Sequence, residues 1–217
     1  LKKDYTDITF IVDRSGSMQM LRHDVIGGFN KFIEDQRKVA GECTVTLVQF
    51  DNFYEVNYTA IPVNDVQPLN SETYAPRGTT AMYDAIGKSI METGNRLAKM
   101  KEEDRPDKVI VIIQTDGEEN ASVEFSGETI KKMIKEQEEV YSWEFVFLGA
   151  NINAKSTAMD IGIQVDKAMS FANSGAGMAD ALYSISKNVT NYRSGSVRSM
   201  AYDSSDYAAQ SSKGVKQ

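Results

Sequence analysis

Residues 8–18 read ITFIVDRSGSM, and the change of character halfway along this stretch decides the fold. Ile8 to Val12 form an uninterrupted run of apolar or β-branched residues that is too short for a helix. Such a run reads as a strand buried on both faces, which occurs in parallel sheets covered by helices on each side. A carboxylate, two serines and a glycine follow at once, residues that end a strand and open a helix. Asp13 is therefore expected at the carboxyl end of a buried strand, the edge at which open α/β sheets bind ligands.

The pattern recurs along the chain. Residues 108–114 (KVIVIIQ) and 143–149 (WEFVFLG) are similar buried runs. Between the runs lie helical stripes: Met18, Leu21, Val25, Phe29, Phe32 and Ile33, then Met82, Ala85, Ile86, Ile90 and Leu97, then Ile130, Met133, Ile134 and Val140. Residues 44–50 (TVTLVQF) and 53–61 (FYEVNYTAI) are separated only by Asp51 and Asn52, a spacing that predicts a hairpin and one antiparallel edge strand. The fold class is α/β, a doubly wound, mostly parallel sheet with one antiparallel edge strand. Two irregular stretches, about Pro62–Thr79 and Asp116–Gly127, are long enough to carry function. Beyond Val165 the periodicity weakens, with one helix expected near residues 177–189. The expected organisation is one domain over residues 1–190, and an irregular or disordered tail over 191–217, where Ser, Tyr, Ala and Gly replace the aliphatics.

Composition narrows the function classes. A hydrophobic fraction of 41% and a charged fraction of 25% in 217 residues are ordinary globular values, enough for a core without disulfides or obligate oligomers. The chain is expected to be monomeric alone. With 24 Lys and Arg against 31 Asp and Glu, the net charge of -7 disfavours binding to phosphate backbones, so nucleic acid is not an expected partner. No apolar run reaches the length of a membrane span. Cys43 is the only cysteine and reads as a small buried hydrophobe. Missing disulfides favour a reducing compartment, so a cytoplasmic or phage-associated location is expected.

The chemistry concentrates in three loops. Asp13, Ser15 and Ser17 alternate behind the first strand, Thr79 and Thr80 precede the Met82 stripe, and Asp116 follows the strand at 108–114. All offer oxygen and nothing softer. Taken singly, the serines and Thr80 could cap helices and Asp116 could turn the chain. Their joint placement at strand ends on one sheet edge points instead to a bound hard cation. The haloacid dehalogenase pattern, with a second aspartate two residues after the first, is excluded by Ser15.

The segment DRSGS resembles the Asp-x-Ser-x-Ser signature of the von Willebrand factor type A family, the first part of its metal-ion-dependent adhesion site, or MIDAS. GTTAMYDAI is similar to the family's second element and aligns Thr80 rather than Thr79 on its threonine, although a glycine is more usual at Thr79. Thr115, Asp116 and Gly117 resemble its closing Thr-Asp-Gly turn. The resemblance covers roughly residues 5–170. It implies one divalent cation on Asp13, Ser15, Ser17, Thr80 and Asp116, with Mg²⁺ the expected ion and Mn²⁺ also suited to oxygen donors. It also implies that an Asp or Glu of a partner protein completes the coordination. The expected function is therefore binding and not catalysis. The alternatives are a metal-assisted hydrolase on the same scaffold and a structural component of an intracellular or phage assembly. His23 is read as a solvated helix residue, and Glu118, Glu119 and Glu124 as solvated loop.

Overall fold

Alternate residues of the first strand face two different cores, which is why its sequence has no polar side in the middle. The computed structural model describes residues 1–150 and 152–216. Strand β1 (Lys2–Asp13) is followed by a 3₁₀ turn (Gly16–Leu21) and helix α1 (Arg22–Gln36). The hairpin β2 (Glu42–Phe50) and β3 (Tyr54–Pro62) leads through a long loop to α2 (Met82–Ala98). Then come β4 (Pro106–Thr115), α3 (Gly127–Tyr141), β5 (Glu144–Ala150), α4 (Ala154–Asp160), β6 (Ala168–Phe171), α5 (Gly175–Arg193) and α6 (Ser204–Ser211).

The six strands lie in the order β3-β2-β1-β4-β5-β6, and β3 alone runs antiparallel, through its pairing with β2. The expected doubly wound sheet with one antiparallel edge strand is thus observed. Ile8, Phe10 and Val12 point to one core with Val25, Phe29 and Phe32 of α1 and Ile185 of α5. Phe10 meets Phe29 and Phe32 edge-on, with ring centroids 5.4 and 5.3 Å away. Ile11 points the other way, to Ile86 and Ile90 of α2 and Ile130 and Ile134 of α3. Burying aromatic rings of this size is among the largest favourable terms in a core. Cys43 is buried at the start of β2, and burial pushes its thiol up to about 11, so it behaves as an inert hydrophobe.

Several expectations need correction. Met18 and Leu21 belong to the 3₁₀ turn, closed by a bond from the Met18 N–H to the Ser15 carbonyl (3.0 Å), and α1 starts only at Arg22. Phe53 belongs to the hairpin turn and not to the strand, because the Asp51 carboxylate takes its N–H at 2.6 Å. Val140 is 64% exposed, since it lies about 100° round the helix from the direction set by Ile130 and Ile134. The short elements α4 and β6 were not read from the sequence.

The largest correction concerns residues 191–216, which are not an irregular tail. Helix α5 runs to Arg193, Met200 and Tyr202 are buried in the α1/α5 core, and α6 opens with a capping box formed by Asp203 and Asp206. Lys187 of α5 reaches both of those carboxylates, at 3.1 and 2.7 Å. Gln210, fully buried on α6, accepts from the Ala172 N–H (3.1 Å) and donates to the Gly177 carbonyl (2.9 Å), which pins the segment to the turn between β6 and α5. The tail composition hides this because two aromatic or methionine anchors and one amide replace a periodic stripe. Residue 217 lies outside the described residues. Gln210→Ala strands a buried donor and acceptor, and is expected to lower stability by about 1–3 kcal/mol in urea denaturation. A midpoint equal to that of the parent would show the segment to be only loosely attached.

Candidate metal centre

The register of the sheet places the three loops together. Val12 of β1 lies beside Gln114 of β4, so Asp13 and the Thr115–Asp116 step leave the same edge as immediate neighbours. Asp13 is fully buried. One of its oxygens accepts from the Ser15 N–H (2.6 Å) and the other from the Thr115 hydroxyl (2.5 Å), while the Tyr74 hydroxyl donates to its carbonyl (2.7 Å). Burial pushes its carboxyl up to about 6, against the Thr115 and Ser15 hydrogen bonds that favour the ionised form.

The Ser15 and Ser17 hydroxyls are 3.0 Å apart, and Ser17 donates to Oδ1 of Asp116 at 2.6 Å. Oδ2 of Asp116 is buried and has no hydrogen-bond partner. Burial raises this carboxyl too. Thr80 is brought in by the loop before α2. Its N–H donates to the Asn120 side chain and its carbonyl accepts from the Asn120 N–H, each at 3.0 Å, so it is tied to the loop that carries Asp116. A Cβ placed on Gly117 would lie 3.5 Å from the Thr80 hydroxyl and 3.9 Å from that of Ser17, so both hydroxyls face one point. Gly78 has φ +69°, and a Cβ there would sit 2.2 Å from the Asn52 side chain, so glycine is required for this approach.

All five residues expected from the sequence thus meet at one sheet edge: Asp13, Ser15 and Thr80 buried, Ser17 exposed, and Asp116 with a free oxygen turned inward. Thr79 is exposed, in keeping with the alignment on Thr80. The donor set is oxygen only. Among the described residues no group of three or more His, Cys, Asp and Glu side chains forms a metal cluster, so any ion here depends on the hydroxyls. These residues fit a hard divalent ion: a buried, unpartnered carboxylate oxygen is costly unless something positive or hydrogen-bonding reaches it. Asp13, with both oxygens engaged, is placed to act behind Asp116 and the hydroxyls.

Sequence reading missed several supports. Glu119, expected as solvated loop, accepts from the N–H groups of Tyr83 (2.9 Å), Ala121 (2.8 Å) and Ser122 (2.7 Å), replacing the side-chain cap that α2 lacks. A carboxylate there also meets the positive end of the helix. Glu118 is exposed, as expected, and Glu124 pairs with Lys88 at 2.6 Å. His23 is exposed on α1. Tyr74 and Asn120 carry no local signal, because their partners lie 61 and 40 residues away in the chain.

Solved structures share this architecture. Proximal thread matrix protein 1 from the mussel byssus, in a form with a zinc occupied MIDAS motif, is 17% identical, with a TM-score of 0.59 over 86% of this chain and 46% of that one. Von Willebrand factor type A from Catenulispora acidiphila is 12% identical, with a TM-score of 0.54 over 86% of this chain and 42% of the other. The manganese-loaded Plasmodium vivax TRAP protein is 16% identical, with a TM-score of 0.54 over 86% of this chain and 74% of that one. The chain spans about half the length of the byssus protein, 46%. Neither a protein-family model nor a curated protein matches the sequence. The chain has the von Willebrand factor type A fold, with the α/β class and edge-strand arrangement that fold implies.

Proposed function

We propose that this chain is a divalent-cation-dependent protein-binding module whose metal site is formed by Asp13, Ser15, Ser17, Thr80 and Asp116. The observation that carries this reading is the buried, unpartnered Oδ2 of Asp116 beside the linked Ser15 and Ser17 hydroxyls. Structures of the same fold described as zinc-occupied or manganese-loaded support a divalent ion. The all-oxygen donor set favours Mg²⁺ or Mn²⁺ over zinc, which prefers nitrogen and sulfur. When bound, the cation supplies positive charge and a coordination position open to exchange. The oxygens of Ser15, Ser17, Thr80 and Asp116 would hold it, with Asp13 behind them, fixed by the Thr115 hydroxyl and the Ser15 N–H. Two carboxylates only balance a divalent ion in formal charge, and with Asp13 set behind the hydroxyls the open coordination position would stay electropositive, suited to an Asp or Glu of a partner protein. The chain acts as a monomer, in the cytoplasm or on a phage particle. Among the described residues no helix is long and apolar enough to cross a membrane.

The test is calorimetric titration of chelator-treated protein with Mg²⁺ and Mn²⁺, beside Thr80→Ala and Thr79→Ala. Thr80→Ala is expected to weaken the ion by about tenfold or more, and Thr79→Ala to leave it unchanged. Acetate added to the Mn²⁺-loaded protein should then displace bound water, read by proton relaxation. A parent that binds neither ion reduces the motif to helix caps. An ion that binds but ignores acetate removes the acidic partner.

A further inference from the structure

Resting on that metal-site reading, we infer that Asp51, through Arg14 and Arg77, is a positioning residue that sets the first two ligand loops before any ion arrives. Asp51 is fully buried in the turn after β2, yet it contributes to neither core. Its Oδ2 accepts from Nε of Arg14 (3.1 Å) and from Nε of Arg77 (3.0 Å). Oδ1 takes the Phe53 N–H (2.6 Å), and the backbone carbonyl takes the Ala81 N–H (2.9 Å). Arg14 is the spacer between Asp13 and Ser15. Arg77 and Ala81 bracket Thr80. One carboxylate therefore joins the loop of Asp13, Ser15 and Ser17 to the loop of Thr80.

The backbone between these loops is braced in the same place. The Arg77 N–H donates to the Arg14 carbonyl (2.7 Å), and the Gly16 N–H to the Gly78 carbonyl (3.2 Å). Glu55 closes the cluster from β3, 2.8 Å from Arg14 and 4.0 Å from Arg77, and its side chain is half exposed. Two cations and two anions balance, so the charge of Asp51 is spent on arginines and is not offered to a metal. Asp51 acts through the arginines, as outer-shell groups that orient ligands do. A side chain held this way costs a cation little reorganisation on entry, which is how a site of three neutral hydroxyls can hold its geometry.

Three variants separate positioning from plain stability: Asp51→Asn, which keeps an acceptor for the Phe53 N–H but loses the charge; Arg77→Gln on the exposed arm; and Glu55→Gln. Mn²⁺ affinity is read from the free-ion electron paramagnetic resonance signal, and melting is followed separately in chelator. Asp51→Asn is expected to weaken Mn²⁺ by about 10–100-fold and Arg77→Gln by about 3–10-fold, with Glu55→Gln, which removes the half-exposed anion, weakening it by less than Arg77→Gln. The double variant Asp51→Asn, Arg77→Gln should match Asp51→Asn alone, because Arg77 works through Asp51. Variants that melt lower in chelator yet bind Mn²⁺ like the parent would make the clamp merely structural and overturn the inference. If Asp51→Asn does not fold, Arg77→Gln decides alone, since it changes an exposed side chain. A parent that binds no Mn²⁺ overturns the metal site itself, a result distinct from a parent that binds and variants that match it.

Discussion

Asp13→Asn is expected to abolish metal binding while making the metal-free protein more stable. Asp13 is fully buried, and burial raises its carboxyl from 3.8 to about 6. Keeping that group ionised near neutral pH costs the metal-free fold about 3 kcal/mol relative to an unshifted carboxylate. Asparagine keeps one acceptor for the Ser15 N–H and can donate to Thr115, whose hydroxyl already reaches the Gly117 carbonyl at 3.2 Å. What it loses is the charge, and the charge is what a cation needs. In the parent, an ion at a hundred times its Kd adds about 2.7 kcal/mol. For a chain of this length that corresponds to roughly 5–11 °C in Tm. In the variant the same addition should shift Tm by nothing measurable.

The sign of the pH dependence follows from the raised carboxyl. Between about 4 and about 6 the folded, metal-free chain keeps a proton on Asp13 that the unfolded chain has released. The Asp13 contribution to stability therefore falls as pH rises through that window and is flat above it. Asp116 shifts in the same direction for the same reason. The difference between parent and Asp13→Asn, measured as Tm in chelator from pH 4 to 8, isolates Asp13 from the other carboxylates. It should open across the window in favour of the variant. A variant that still gains stability from Mg²⁺, or that melts several degrees below the parent in chelator at pH 7, would remove Asp13 from the site.

What could be read from the sequence, and what could not, divides by range. The middles of β1, β4 and β5 are legible because both faces are buried, so Ile8–Val12 and Val109–Ile113 admit almost no polar residue. The candidate ligands are legible because each stands within a residue or two of a strand end or a helix start, where local pattern fixes position. Asp51, Tyr74 and Asn120 act across the chain, and a partner tens of residues away leaves no spacing to detect. Strand β6 has only four residues, too few to show a period. Residues 191–216 misled for a different reason: the capping box of Asp203 and Asp206 was there to be read, but Met200, Tyr202 and Gln210 anchor the segment singly and not as a stripe. Composition reports how much apolar surface a segment has, and not whether a few side chains suffice to hold it.

Asp84→Ala is expected to cost about 2–4 kcal/mol and to loosen the third ligand loop. Asp84 sits in the first turn of α2, nearly buried, and its carboxylate accepts three backbone N–H groups: Val123 (3.0 Å), Glu124 (3.0 Å) and Phe125 (2.9 Å). Its own N–H donates to the Ser122 hydroxyl at 3.0 Å. Beyond it, Gly87 lets the Phe125 ring lie so close that a Cβ there would meet it at 2.7 Å. The segment from Glu119 to Phe125 is therefore zipped to α2, one turn from Thr80, and Asp116 lies just before it in the chain. Bonds to an ionised acceptor are worth about 1.5–3 kcal/mol each, but the released N–H groups lie in a part-exposed loop where water replaces some of that. Hydrogen exchange of the amides at 119–126 should accelerate in Asp84→Ala, while those of β1 and β4 keep their protection in conditions where the protein stays folded. Asp84→Asn, with one acceptor oxygen left, should fall between. Mn²⁺ affinity should drop with the loop, because Asn120 holds Thr80 from the same segment at both its N–H and its carbonyl. A variant whose loop amides exchange faster while Mn²⁺ binds unchanged would mean that Asp116 is placed by β4 alone, and that the zipped segment serves α2 and not the metal.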